Sequence, residues 1–361
     1  MNNQTSEISQ QYLQPMEADV VIIGSGPAGS SAAYHLRNTG LRVILIERLS
    51  DDQFQRYHRI CGAGVSSHSL KGLDIRKEEI LNDVHTLRVS FPGDHSVNLK
   101  IKGHIIDRPA LLMRLRRGAM EKGVQFIRDS LISIEEDQGY LLKLKNSEDI
   151  RTKYLIGADG AYSVVRKHLF KTTPQIMLKV EEYHSDNKTE EGILDFVMSE
   201  RYAHFYQWYF PYRDGRCTGA INGYAEKEED SVRGARTIPL GWVPEIVKGN
   251  AFLIGDAAGM PNPMTAGGLR TAFLSAEAAV RAIIKDNPQS YQKWWEHSKM
   301  SDRRFSKAQK AFEEMSDEDL AEFARYFTMK GIWRNGFISF LHHPKQLWLY
   351  LGCLMSYRHG W

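Results

Sequence analysis

The run Gly24-Ser25-Gly26-Pro27-Ala28-Gly29 has the glycine spacing that lets backbone N–H groups close on a phosphate. It sits where that chemistry needs it, after the β-branched run Ala18–Ile23 and before a small-residue helix expected over Ser30–Asn38. Gly24 is expected to make the tight turn, Gly26 to let backbone approach a pyrophosphate, and Gly29 to allow close helix–strand packing, with Pro27 and Ala28 completing the loop. The helix N-terminus adds free N–H groups and a partial positive charge. Glu47, with Arg48 after it, closes the next strand, where a carboxylate can bind a ribose hydroxyl. The alternative is a glycine turn without a ligand; the strand–turn–helix context favours a bound dinucleotide.

Two further sets of residues carry chemistry. Cys61 lies between Arg59 and the pair Gly62 and Gly64; a neighbouring cation favours thiolate, while the plainer reading is a small buried hydrophobe. Tyr206, Trp208 and Phe210 alternate along an expected strand and so share one face, either a dry substrate tunnel or ordinary core, with Pro211 next in line and Tyr209 on the opposite face. Cys217 and Cys353 receive no role, and His58 and His68 read as ordinary surface or core histidines. No HExxH or CxxC spacing occurs, so no metal site is expected.

These residues need a scaffold. Ala18–Ile23, the helix after it and Arg42–Glu47 make a βαβ unit. Residues 85–100 read as a hairpin around Pro92-Gly93, Arg108–Lys122 as a helix, and Ser130–Asp149 as two strands. Residues 172–225 are expected to form an antiparallel sheet, Ala251–Ile254 a buried strand and Leu269–Ile284 a helix. The order implies an α/β fold: a Rossmann-like dinucleotide domain (16–84, 101–171 and 245–285) interrupted by a β-sheet substrate domain (85–100 and 172–244). A helical region follows over 286–361, and residues 1–15 form a flexible N-terminus without the apolar core of a signal peptide.

Composition narrows the classes. The 361 residues are 42% hydrophobic and 25% charged, as in globular chains, and a net charge of +3 without a basic stripe argues against nucleic acid as partner. Three scattered cysteines fit a reducing, cytoplasmic setting better than a disulfide framework. The longest apolar run, Leu347–Met355, is too short to span a bilayer. Its aromatic and basic surroundings leave two readings for the tail, docking on the core or resting peripherally on a membrane.

Gly157-Ala158-Asp159-Gly160 through Arg166, and Gly255-Asp256-Ala257-Ala258-Gly259, resemble the second and third fingerprints of the FAD-dependent hydroxylase superfamily. The resemblance implies FAD, assigns Asp256 to the ribityl chain and matches Arg108 to the arginine that precedes the long helix. Asp159 is left between a cofactor role and a helix-cap role. A narrower resemblance joins the chain to the geranylgeranyl reductases: Arg59 to Val65 with Cys61-Gly62, Tyr206-Gln207-Trp208-Tyr209-Phe210-Pro211 as a YxWxFP substrate signature, and Gly255 to Arg270 with the Gly267-Gly268 turn. Ala203 and Ala266 depart from its proline and glycine. The resemblance implies FAD-dependent saturation of C=C bonds in prenyl lipids or prenyl diphosphates, with catalysis at Cys61 and an electron donor (NAD(P)H, ferredoxin or deazaflavin) that the sequence does not name. A flavin monooxygenase or halogenase using O₂ is the alternative, because Tyr206–Pro211 partly echoes the halogenase WxWxIP motif; a flavin- or lipid-binding protein without turnover is another.

Overall fold

The computed structural model describes residues 15–203, 205–221, 223–229, 231–327, 334, 337–338, 341 and 347–360. Eight strands form a first sheet: β1 (Met16–Ile23), β2 (Val43–Glu47), β6 (Gln125–Arg128), β7 (Leu131–Glu136), β8 (Tyr140–Leu144), β9 (Ile150–Gly157), β15 (Val247–Lys248) and β16 (Ala251–Leu253). Its centre runs β16-β9-β1-β2-β6 with every pairing parallel. The unbroken apolar runs explain this: β2 is buried at every position, as a strand covered on both faces must be. The crossover after β1 is α1 (Pro27–Leu36), which starts at Pro27 rather than at the expected Ser30, because proline's fixed φ suits the first helical turn.

Parallel pairing has one consequence for the site. Gly24 donates its N–H to Ile46 (2.7 Å), Ala158 to Ile23 (2.9 Å) and Ile254 to Gly157 (3.0 Å). The loops leaving β1, β9 and β16 therefore end side by side at one sheet edge. Packing there is tight: a Cβ on Gly29 meets the Gly24 carbonyl oxygen at 1.8 Å, and one on Gly24 meets the Ala158 carbonyl oxygen at 2.5 Å.

The second sheet runs β14-β10-β13-β12-β11-β4-β5-β3, from β3 (Gly64–Ser66), β4 (Ile80–Phe91), β5 (His95–Ile106), β10 (Ile176–Ser185), β11 (Ile193–Ser199), β12 (Phe205–Tyr212), β13 (Gly215–Ile221) and β14 (Val232–Leu240). The hairpin expected over 85–100 is longer, reaching from 80 to 106, and β3 and β14 widen the sheet beyond 172–225. Between the sheets run α2 (Asp51–Arg59) and α3 (Arg108–Met120). The sequence reading did not anticipate α2, although Ser50 and Gln53 form its capping box.

Beyond α4 (Leu269–Ile284) the described residues form α5 (Gln289–Glu296), α6 (Arg304–Glu313), α7 (Asp317–Tyr326) and α8 (Leu347–Met355). The Leu347–Met355 run docks on the core: Gly352 lies so close to α6 that a Cβ meets that of Ala308 at 2.1 Å, and Tyr357 donates to the Lys100 carbonyl (3.0 Å). Residues 1–14, read as a lead-in, and Lys345, His342 and His343 lie outside the described residues. Among the described residues no helix is long and apolar enough to cross a membrane.

Gly29→Ala is expected to cost about 1–3 kcal/mol, since its methyl group has no space without moving α1 off β1. Thermal or urea denaturation of the variant measures it.

Candidate active site

A cavity of about 590 Å³ lies where the two sheets meet. One lobe is polar and is built at the shared edge of β1, β9 and β16. Gly24, Gly26, Pro27, Ala28, Glu47 and Arg48 line it from the first βαβ unit, and Asp159, Asp256, Gly267 and Gly268 from the later loops. Gly29 and Gly255 stand behind it: Gly29 packs on Gly24, and a Cβ on Gly255 meets that of Ala28 at 3.0 Å.

The carboxylates differ in what they hold. Glu47 Oε2 accepts from the Ser25 N–H (2.9 Å) and hydroxyl (3.0 Å), and Oε1 accepts from the Leu49 N–H (2.9 Å). It fixes the glycine loop and keeps lone-pair capacity for a hydroxyl donor. Asp159 acts as a cap, accepting from the Val164 and Val165 N–H groups (2.6 and 3.2 Å) and from Ser163 (2.5 Å). The Asp256 carboxylate accepts no hydrogen bond among the described residues, and Asp256 lines the cavity. Burial raises its pKa, while the charges of Arg236 and Arg108 pull against that rise. An unpartnered acceptor, a helix N-terminus and two glycines without side chains suit a polyhydroxylated, anionic ligand such as a flavin dinucleotide.

Arg108 is buried behind the turn that follows α2. Its Nε donates to the His58 carbonyl (2.7 Å) and its terminal nitrogen to the Ile60 carbonyl (3.0 Å). Arg236 of β14 donates to the same Ile60 carbonyl (3.2 Å) and covers the Tyr57 ring. The two guanidinium groups thus fix the Ile60-Cys61-Gly62 backbone. They are also the cations that face Cys61, whereas Arg59, its neighbour in sequence, lies by Tyr212. The Cys61 sulfur accepts from the Ala63 N–H (3.3 Å) and lines the cavity.

Gly62 joins the two lobes. A Cβ there meets the Phe210 ring at 2.6 Å and the Trp208 indole nitrogen at 3.5 Å. Beyond it lies the apolar lobe, lined by Tyr206, Trp208 and Phe210 with Phe196, Met264 and Phe327, and closed on one side by Cys353 and Tyr357. The rings interlock edge to face, Phe196 on Tyr206 at 5.0 Å and on Phe210 at 5.2 Å. Pro211 is not among the lining residues. It follows Phe210 along β12, so its side falls with Tyr209 on the opposite face, where the Tyr209 hydroxyl donates to Glu226 (2.7 Å).

Sequence reasoning missed Arg236, Tyr57, Asp129 and Glu182 and set His58 aside; all five line the cavity. His58 packs over Gly26 and is held well below its ordinary pKa by burial and by the nearby arginines. Asp129, although buried, is held at about 2 by hydrogen bonds from Ser147, Ser130 and Asn146. None carries a motif of its own; only the capping box that starts α2 hinted at a helix bringing Tyr57 and His58 inward.

The model of the pyridine nucleotide-disulphide oxidoreductase family matches residues 18–194. A digeranylgeranylglycerophospholipid reductase of Methanopyrus kandleri is 27% identical over 88% of this chain and 92% of its own. A geranylgeranyl diphosphate reductase of Rhodobacter capsulatus is 25% identical over 74% of this chain and 75% of its own. Among solved structures, a geranylgeranyl bacteriochlorophyll reductase-like protein of Thermoplasma acidophilum superposes with a TM-score of 0.71 at 21% identity, covering 87% of this chain and 92% of that one. A flavin-dependent brominase shares the fold with a TM-score of 0.64 at 18% identity, over 93% and 94%.

Fold, site and relatives define a flavin-dependent oxidoreductase. Over most of its length the chain is similar to proteins named as geranylgeranyl reductases, at 25–27% identity.

The three thiols are expected to separate by reactivity. Burial pushes Cys353 up to about 12 and Cys217 well above its ordinary value, whereas Cys61 faces the cavity. Alkylation of the native flavin-free protein at pH 8, followed by peptide mass mapping, should modify Cys61 ahead of the other two.

Proposed function

We propose that the protein saturates C=C bonds in the geranylgeranyl or other prenyl chains of isoprenoid lipids or prenyl diphosphates, with FAD as its flavin. The observation that carries this reading is the join between the lobes, where Gly62 lets the Cys61 backbone lie against Phe210 and Trp208. A chain in the apolar lobe thereby abuts a cofactor in the polar lobe. In this reading the first sheet, with α1 and α4, holds FAD, and the second sheet with α6–α8 forms the substrate unit.

An isolated prenyl double bond offers no polar handle, so affinity must come from buried apolar area, at about 25 cal/mol per Å². Tyr206, Trp208, Phe210 and Phe196 supply that area. The Tyr206 hydroxyl is turned away to the Thr265 carbonyl (2.5 Å), which leaves its ring face for the chain. Gly24, Gly26 and the α1 N-terminus hold the pyrophosphate, Glu47 a ribose and Asp256 the ribityl hydroxyls. Bound FAD, once reduced, supplies a hydride. The aromatic lobe excludes water from that step and Cys61 borders both partners. A lipid substrate brings the protein to a membrane surface, and a soluble diphosphate does not. The electron donor is NAD(P)H, ferredoxin or a deazaflavin.

Three outcomes are expected. Gly26→Val should lose FAD retention while keeping its fold by circular dichroism, because a side chain at 26 fills the phosphate's approach and presses on His58. Dithionite-reduced enzyme, incubated anaerobically with geranylgeranyl diphosphate or a digeranylgeranyl lipid, should add two mass units per double bond. Trp208→Ala should weaken chain binding by about 1–3 kcal/mol in the same assay. No mass gain with any prenyl chain, together with O₂-dependent product from another substrate, overturns the reading in favour of a monooxygenase.

A further inference from the structure

One cluster on the apolar side has no place in the account so far. In the pairing of β10 with β13, His184 lies opposite Cys217 and Glu182 opposite Gly219. In the pairing of β13 with β12, Cys217 lies opposite Phe210 and Gly219 opposite Trp208. Residues directly opposite in a ladder share a face. Glu182, His184 and Cys217 therefore stand on the face that carries the substrate-lobe aromatics.

Glu182 is 3% exposed yet lines the cavity, and glycines flank it on both sides. Over Gly219 lies the Trp208 ring, and over Gly234, its partner in β14, the Ile60 side chain. A carboxyl group among aromatics, with no Lys or Arg ion pair among the described residues, is an unfavourable place for a merely structural charge. Among the described residues it hydrogen-bonds one basic side chain, His184, whose Nε2 lies 2.8 Å from Glu182 Oε1. The other imidazole nitrogen, Nδ1, is buried without a hydrogen-bond partner, so the ring is committed to the carboxyl. Tyr212 braces the imidazole edge-on at 4.4 Å. The charged and titratable groups facing the pair are Arg108 from α3 and Cys217 from β13, with Arg236 and Cys61 alongside and Arg59, Asp107 and Arg213 beyond Tyr212.

We propose that Glu182 is the acid that protonates the prenyl double bond and that His184 positions its carboxyl. The inference rests on the prenyl-reductase reading. Saturation forms two C–H bonds: the hydride comes from the reduced flavin, which is oxidised by two electrons, and the proton from the Glu182 carboxyl O–H. The carboxylate left behind is held by His184 and takes up a solvent proton when the saturated product leaves the lobe. Other hydroxyls and thiols of the lobe are poor donors: the Tyr206 O–H is committed to Thr265, and burial raises Cys217 and Cys353.

Stopped-flow absorbance of the dithionite-reduced holoenzyme, mixed anaerobically with geranylgeranyl diphosphate in H₂O and in D₂O, tests this. Wild type should reoxidise its flavin with a solvent isotope effect. Glu182→Gln should slow that step by about 10²-fold or more at unchanged FAD content and chain affinity, the range of a lost general acid. His184→Ala should slow it by about tenfold, with imidazole restoring the rate, which a packing role does not predict. Glu182→Gln reoxidising within threefold of a competent wild type, or His184→Ala slowed without imidazole rescue, overturns these two roles alone. A wild type that no prenyl chain reoxidises overturns the reductase reading, and both roles with it.

Discussion

Parallel pairing of β1 with β9, and of β9 with β16, is the constraint on which the site depends. Three turns far apart in sequence leave the same ends of neighbouring strands, and the hydrogen bonds of Gly24, Ala158 and Ile254 hold them in one row. The crevice beyond the carboxyl ends of such strands is where an open α/β sheet binds its ligand. Glycine is required in that row because the backbones already touch: the Gly24 carbonyl occupies the space of a Gly29 side chain.

The second sheet enters the site through one short turn. Arg108 and Arg236, from opposite sides of the molecule in chain order, donate to the single Ile60 carbonyl and so hold Cys61 and Gly62 against β12. Among the described residues no ion pair discharges these guanidinium groups; the carboxylates they face across the site are Asp256 and Glu182. Such buried cations persist when a site receives an anion, as a dinucleotide's pyrophosphate or a reduced flavin provides. The electrostatics and the packing of the turn thus have one origin.

On the apolar side, the aromatic face is interrupted by one carboxyl, one imidazole and one thiol. Gly219 and Gly234 make this tolerable, because the absent side chains leave room for the Trp208 ring and Ile60 to close over the group rather than to displace it.

The local code was legible. The unbroken run Val20–Ile23 and the turn at Gly255-Asp256 announce themselves through short-range sterics and burial, α4 runs over the residues read from their helical pattern, and α8 covers the longest apolar run of the expected helical tail. Alternation along β12 likewise placed Tyr206, Trp208 and Phe210 on one face, and the same alternation puts Pro211 on the other. The tertiary structure alone decided what meets across the ladder. Nothing in the local sequence of Val180–Ser185 distinguishes Glu181, whose carboxylate pairs with Arg233, from Glu182, which meets His184 on the aromatic face, although both border the cavity. Which of two adjacent glutamates joins the aromatic face depends on strand register, and which arginines reach Ile60 depends on how two sheets close on each other. Those are long-range contacts, set by packing between segments far apart in sequence (48 and 176 residues for the two arginines on Ile60), and no local spacing encodes them.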